Sequence, residues 1–271
     1  MKAREPTGEE PDMSIVPSNL MQSLIDISIA AGREIMAIYA TDFSSKAKSD
    51  LTPVTEADEA AERIILERLA RLDNAIPVIS EEAASAGNIP EASHQFFLVD
   101  PLDGTKEFIS KNGEFTVNIA LVENGVPVAG VVYAPALKRI FWGERGIGAA
   151  QGTVENEVVS GLVGISVRPV PAEGATVVAS RSHRDQETED YLKAVKVKSL
   201  TSAGSSLKFC LVAAAEADLY PRFGRTMEWD TAAGHAVLLA AGGKVVTVDG
   251  PALAYGKRDR GYDNPGFIAS A

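Results

Sequence analysis

The apolar period of this chain changes once, near residue 77, and that change limits the folds open to it. Before it, Leu20, Leu24, Ile27, Ala31, Ile35 and Ile38 recur at helical spacing behind Ser18, a residue type that caps helix N-termini. Ala61, Ile65, Leu69 and Leu72 repeat the stripe and predict a second helix from about Glu56 to Leu72, with Thr55 and Asp58 spaced as a capping box. After it, the apolar runs shorten to PVIS (77–80) and FFLVD (96–100), as in buried strands bounded by turn residues. TVNIALV (116–122), Glu123-Asn124-Gly125 and VPVAGVVYAPA spell a hairpin closed by an Asn-Gly turn. RIFWG (139–143) adds a strand. Two helices followed by adjacent strands predict an antiparallel sheet covered by helices.

The second half alternates instead. ATVVAS (175–180) reads as a strand, 185–195 as a polar helix and VKSLT (197–201) as a strand. Helices over 205–217 and 229–243 then alternate with the strands DLYPR (218–222) and KVVTV (244–248), an α/β pattern. The join falls near 160–172, where Gly161, Gly164, Pro169 and Pro171 cluster. The expected organisation is a loose arm over 1–12, an α+β domain over 13–170 and an α/β domain over 171–271.

Charge narrows the partners. Acidic residues outnumber basic ones 37 to 26, and a net charge of −11 with 6% aromatics disfavours a nucleic-acid-binding module. No run approaches the ~18 apolar residues of a membrane span, and the segment MKAREPTGEEPDMS lacks the apolar centre of a secretory signal. The single Cys210 rules out an intrachain disulfide and a thiolate zinc cage, which fits a reducing compartment. It lies mid-helix among Phe209, Leu211 and Val212 and reads as core. The expected location is the cytoplasm, with loose attachment to the inner face of a membrane left open. No protein partner is readable.

Carboxylates gather at the ends of the predicted strands. PVIS runs into Glu81 and Glu82, FFLVD ends at Asp100 ahead of Pro101-Leu102-Asp103-Gly104-Thr105, and Asp230 follows Trp229 at a helix start. Each alone has a plain reading: Asp-Pro and Asp-Gly turns, a solvated Glu pair, a helix N-terminal acid. Together they would repel one another in one cleft unless cations sat between them. Oxygen ligands without His or Cys suit Mg²⁺, Mn²⁺ or Ca²⁺.

The segments SEE (80–82), DPLDGTKEF (100–108) and WDTAAG (229–234) resemble the signatures of the inositol monophosphatase superfamily. The resemblance runs from Asp50-Leu-Thr-Pro-Val-Thr55-Glu-Ala-Asp58 to Asn264-Pro265-Gly266-Phe267. It implies a layered αβαβα sandwich and a Mg²⁺-dependent phosphomonoesterase with two or three ions, for which Mn²⁺ substitutes and Li⁺ and Ca²⁺ inhibit. It further implies that Glu81, Asp100, Asp103, Asp230 and the carbonyl of Leu102 hold metal. Asp50, Glu81 and Thr105 would serve the attacking water, and the backbone of Gly104 and Thr105 the phosphate. With Leu102, Asp103 and Asp230 these residues also border the substrate.

Within the superfamily, Thr105-Lys106-Glu107-Phe108, Ser180-Arg181-Ser182-His183 and GSSLKFCLVAAAEADLYPRFG (204–224) look like the bacterial 3′(2′),5′-bisphosphate nucleotidase branch of sulfur assimilation. The resemblance implies that Ser205, Lys208, Arg222 and His183 hold the nucleotide and its second phosphate. Ser205 and Lys208, three apart on one expected helical turn, can point the same way, and an Arg fork suits a phosphate. A lone helical Lys is otherwise usually solvated, and a loop His such as His183 is as often merely exposed. The expected reaction converts adenosine 3′,5′-bisphosphate to AMP and phosphate, with 3′-phosphoadenylyl sulfate as a further substrate. The alternatives are an inositol-1-phosphatase, to be preferred if Arg222 points away from the cleft, and a non-catalytic nucleotide-binding regulator. His94 reads as surface loop and His235 as a packed helix residue.

Overall fold

Ser18 accepts the Met21 N–H and caps helix α1 (Asn19–Tyr39), whose apolar face is buried from Met21 to Ile35. Helix α2 (Thr52–Leu72) packs along it. α2 begins earlier than the expected Glu56, because Pro53 falls in its first turn, where a missing N–H costs nothing. Thr55 therefore lies inside the helix and does not cap it. The computed structural model of the protein describes residues 15–41, 52–73, 75–91, 93–180 and 185–271, and the expected 1–12 arm, Asp50 and His183 lie outside them.

Strands β1 (Val78–Ser80), β2 (Gln95–Asp103), β3 (Thr116–Glu123), β4 (Val126–Ala134), β5 (Arg139–Glu144), β6 (Gly148–Glu155) and β7 (Val158–Ile165) form one seven-stranded sheet in chain order. β1 and β2 run parallel, and the rest is an antiparallel meander. Two short helices interrupt it: α3 (Glu81–Ser85) after β1 and α4 (Thr105–Ile109) after β2. The β3–β4 turn is the expected one, with Asn124 and Gly125 both left-handed at φ 50° and 78°. The strand pattern did not reveal β6 and β7, since GAAQGTVENEVVSGLVGI mixes small residues with apolar ones that stay exposed, such as Val158 and Val163.

The second sheet is mixed, in the order β11 (Lys244–Thr247), β12 (Phe267–Ser270), β10 (Leu219–Arg222), β8 (Ala175–Ser180), β9 (Val197–Ala203). Helix α5 (Gln186–Ala194), capped by Asp185 at Thr188 N, packs against its outer face. Helices α6 (Leu207–Ala213) and α7 (Ala232–Ala240) lie between the two sheets. One core cluster runs through this layer from Phe96 and Phe141 on the first sheet to Tyr220 and Phe267 on the second. α7 lies so close to β4 that a Cβ on Gly130 would meet Ala233 O at 2.6 Å and Ala236 Cβ at 2.8 Å. The layers read α1/α2, sheet, α6/α7, sheet, α5, the αβαβα sandwich expected of this chain.

α6 is shorter than the 205–217 expected. Ser205 has φ 51° and stands outside the helix, so the i,i+3 relation expected between Ser205 and Lys208 does not hold. Its hydroxyl contacts Asp103 O at 2.7 Å and Glu114 O at 2.8 Å, and those backbone contacts hold it in the left-handed setting. Among the described residues no helix is long and apolar enough to cross a membrane.

Candidate active site

The site forms where the C-terminal ends of β1 and β2 meet the turn before α7. β2 runs on to Asp103 instead of stopping at Asp100, with a register shift against β3 between Asp100 and Asp103. The shift turns both aspartates toward the same end of the sheet while Leu102, 1% exposed, keeps its side chain in the core. Only the backbone of Leu102 can serve the site. Asp100 Oδ1 accepts the Leu102 N–H at 3.0 Å, which pins the bend. Gly104 follows at φ 104° as the N-cap of α4, where a Cβ would collide with Ser205 Oγ.

Glu81 opens α3 directly after β1, and Asp230 arrives from the other half of the chain. One oxygen each from Glu81, Asp100 and Asp230 fall within 4.8 Å of one another. Asp230 Oδ2 accepts the Met227 N–H at 2.8 Å, and Ser206 Oγ donates to Asp230 O at 2.6 Å, tying the start of α6 to this turn. Asp103 sits beside the group, with Asn118 Nδ2 at 3.4 Å from its Oδ2.

Without cations these acids hold protons that ordinary carboxylates release. Burial, then Asp103, pushes Glu81 up to about 7. Burial, then Asp103, pushes Asp230 up to about 8. Burial and the Glu81 charge raise Asp100 well above the carboxylate range, and burial raises Asp103 despite the nearby Lys208. Converging, buried, oxygen-only donors of this kind fit a hard divalent cation.

Behind Glu81 stands an acid whose spacing from Thr55 predicts a capping box. Asp58 on α2 is 5% exposed, and its Oδ1 has no hydrogen-bond partner among the described residues. Burial, then Glu82 and Glu81, pushes it up to about 9. The signal available in the sequence was Pro53: it marks an earlier helix start and moves Asp58 from the cap to the second turn, on the inward face.

A cleft of about 330 Å³ adjoins the acids. Asp103, Gly104, Thr105 and Asp230 line it together with Ser205, Lys208, Tyr220 and Arg222. Lys208 is buried, its Nζ donating to Ser205 O at 2.6 Å and Ala203 O at 3.3 Å and lying 5.3 Å from the Tyr220 ring centre. Burial lowers its pKa to about 8. It is not the solvated lysine that an isolated helix position suggests. Arg222, at the end of β10, donates from Nη2 to Arg225 O at 3.0 Å and borders the cleft, as does Arg225. His235 is buried with Nδ1 2.9 Å from Tyr255 Oη, and burial lowers its pKa to about 3, so it is packed as expected. His94 is exposed.

The sequence pattern of the inositol monophosphatase family matches residues 17–270. The chain is 48% identical over 250 residues to the 3′(2′),5′-bisphosphate nucleotidase CysQ of Salmonella typhimurium, covering 92% of this chain and 98% of that one. The crystal structure of CysQ from Bacteroides thetaiotaomicron superposes with a TM-score of 0.80 at 39% identity, over 93% of this chain and 97% of that one. The inositol monophosphatase of Anabaena superposes with a TM-score of 0.71 at 25% identity, over 93% and 90% of the two chains.

Proposed function

The chain belongs to the inositol monophosphatase family, and on that premise we propose that it is a Mg²⁺-dependent 3′(2′),5′-bisphosphate nucleotidase. It hydrolyses adenosine 3′,5′-bisphosphate to AMP and phosphate and also takes 3′-phosphoadenylyl sulfate. The carrying observation is that Lys208 and Arg222 line the same cleft as Asp103, Thr105 and Asp230. An ester with one phosphate at the acids has room to place a second anion against these cations. The inositol-phosphatase alternative was to be preferred if Arg222 pointed away from the cleft, which Arg222 lines.

Glu81, Asp100, Asp103, Asp230 and the Leu102 carbonyl hold the ions, and Mn²⁺ substitutes while Li⁺ and Ca²⁺ inhibit. Bound Mg²⁺ supplies charge neutralisation for the ester dianion and an acidified water at neutral pH. The chain's own part is positional and protonic. Glu81 and Thr105 orient the attacking water and take its proton, with Asp58 close behind Glu81 and Asp50, implied by the family resemblance, as a further acid. Gly104 leaves its backbone open to the phosphate. Lys208 is held by two carbonyls and therefore presents its charge at a fixed point. His183 joins the nucleotide contacts by the same resemblance. Water is the expected nucleophile, with no phospho-enzyme, and the fully buried Cys210 is not available to compete with it.

Phosphate release from adenosine 3′,5′-bisphosphate and from inositol 1-phosphate, each with Mg²⁺ and with EDTA, tests the proposal. Metal-dependent release from the nucleotide alone is expected. The reverse preference would remove Lys208 and Arg222 from the substrate site, and silence on both would leave a nucleotide-binding protein without catalysis.

A further inference from the structure

α3 follows β1 without a loop, and its N-cap residue, Ser80, makes no side-chain bond to the helix it opens. The Ser80 hydroxyl donates instead to Glu62 Oε1, which comes from α2. The same oxygen accepts the Ala83 N–H at 3.1 Å. Ala83 is the third residue of α3, and its N–H is one an N-cap side chain ordinarily takes. A carboxylate from a separate helix therefore does the capping that Ser80 gives up, and its negative charge suits a helix start. The two bonds fall on either side of Glu81 and Glu82, so they fix the turn that aims Glu81.

Glu62 also lies one helical turn after Asp58. Asp58 and Glu81 come from separate elements, and two Glu62 bonds join these elements beside the contact between Asp58 and Glu82. Glu62 is not one of the three acids whose oxygens converge. We infer that Glu62 is a positioning residue: it braces the β1–α3 turn against α2 and so sets Glu81 and Asp58 toward one cation site. The inference rests on the metal-dependent reading above.

The test uses the full chain and two readouts: Mn²⁺ binding to the free enzyme, from the electron paramagnetic resonance of unbound Mn²⁺, and the Mg²⁺ dependence of phosphate release. Glu62→Ala is expected to weaken Mn²⁺ binding and raise the Mg²⁺ half-saturation about 10- to 100-fold, the range seen when groups that orient metal ligands are removed. KM for the nucleotide at saturating Mg²⁺ stays put. Glu62→Gln keeps an oxygen able to accept both bonds and recovers most of the Mn²⁺ affinity. Glu59→Gln removes the same charge from the exposed face of α2 and leaves it unchanged.

Wild-type Mn²⁺ affinity in Glu62→Ala overturns the inference. So does a Glu62→Gln variant as weak as Glu62→Ala, because charge and not bracing would then be at work. If Glu62→Ala does not fold, Ser80→Ala takes its place. It deletes one of the two bonds and is expected to weaken Mn²⁺ binding to a smaller extent, and an unchanged affinity there also overturns the inference. Failure of the wild type itself to bind Mn²⁺ would instead bring down the metal-site reading, and the inference with it.

Discussion

The seven-stranded sheet and its helices supply the acids beside and along the cleft, Asp58, Glu81, Asp100 and Asp103, whereas α6, β10 and the segment after it line the cleft with Lys208, Arg222 and Arg225. On the first side burial and neighbouring acids push Asp58, Glu81 and Asp100 upward, and burial raises Asp103, so that side is unfinished without cations. On the second side Lys208 is already satisfied by carbonyls and by the neighbouring Asp103 charge. The contrast separates two jobs. On the proposed reading, the acid side would neutralise any phosphate ester once metal is bound, while the cation side would ask whether the ester carries a further anion. Asp230 is the exception that joins them, an acid supplied by the cationic half.

The largest effect is expected on the acid side. Asp103→Asn removes a charge from the cluster and should lower Mg²⁺-dependent turnover on every substrate by more than the about 100-fold that bounds losses from outer-shell changes. Near-normal rates would remove Asp103 from the metal site. A narrower loss is expected opposite. Arg222→Ala should cost adenosine 3′,5′-bisphosphate about 10- to 100-fold in kcat/KM, as for a lost charged hydrogen bond of about 1.5–3 kcal/mol, and leave a simple phosphate ester nearly untouched. Equal losses on both would dissolve the division between the two sides.

The acid side should also show itself in stability. Glu81 and Asp230 hold protons more tightly when folded, at about 7 and about 8, than as free carboxylates. The folded state thus binds more protons than the unfolded one, and without metal stability falls as pH rises from about 4 through 8. Cations take the place of those protons, so Mg²⁺ should raise Tm more at pH 8 than at pH 6 in protein first stripped with EDTA. A Tm that rises with pH in EDTA would mean that the carboxylates do not crowd one another.

The two sides also differed in how much their residues disclosed. DPLDGT and WD were legible because they occur together with SEE, a conjunction that resembles the signatures of one family. The fold's strands were legible where apolar runs ended in Asn-Gly or Asp-Pro, and β6–β7 was not, since small residues give no period. Asp58 was hidden by a helix start that lies at Thr52 and not at Thr55. Lys208 could be weighed but not placed, because burial of an ammonium on a short helix depends on Tyr220, Ser205 and Asp103, which come from three other segments. Ser205 left the helix for the same kind of reason. Its setting is fixed by carbonyls about 90 to 100 residues away in sequence, which no local propensity contains.

The smallest effect is expected at Cys210, two residues beyond Lys208 on α6. Its thiol is fully buried among the aromatic and aliphatic side chains between the sheets, and burial pushes its pKa above that of a free thiol. A thiol reagent should leave the native protein unlabelled and fully active, and should label it once denaturant opens the core. Cys210→Ala should likewise keep wild-type turnover on the nucleotide. Rapid labelling of the native protein with loss of activity would show α6 opening on its own. Lys208 would then be a mobile cation and not a fixed one, and the selectivity assigned to the second side would have to come from Arg222 alone.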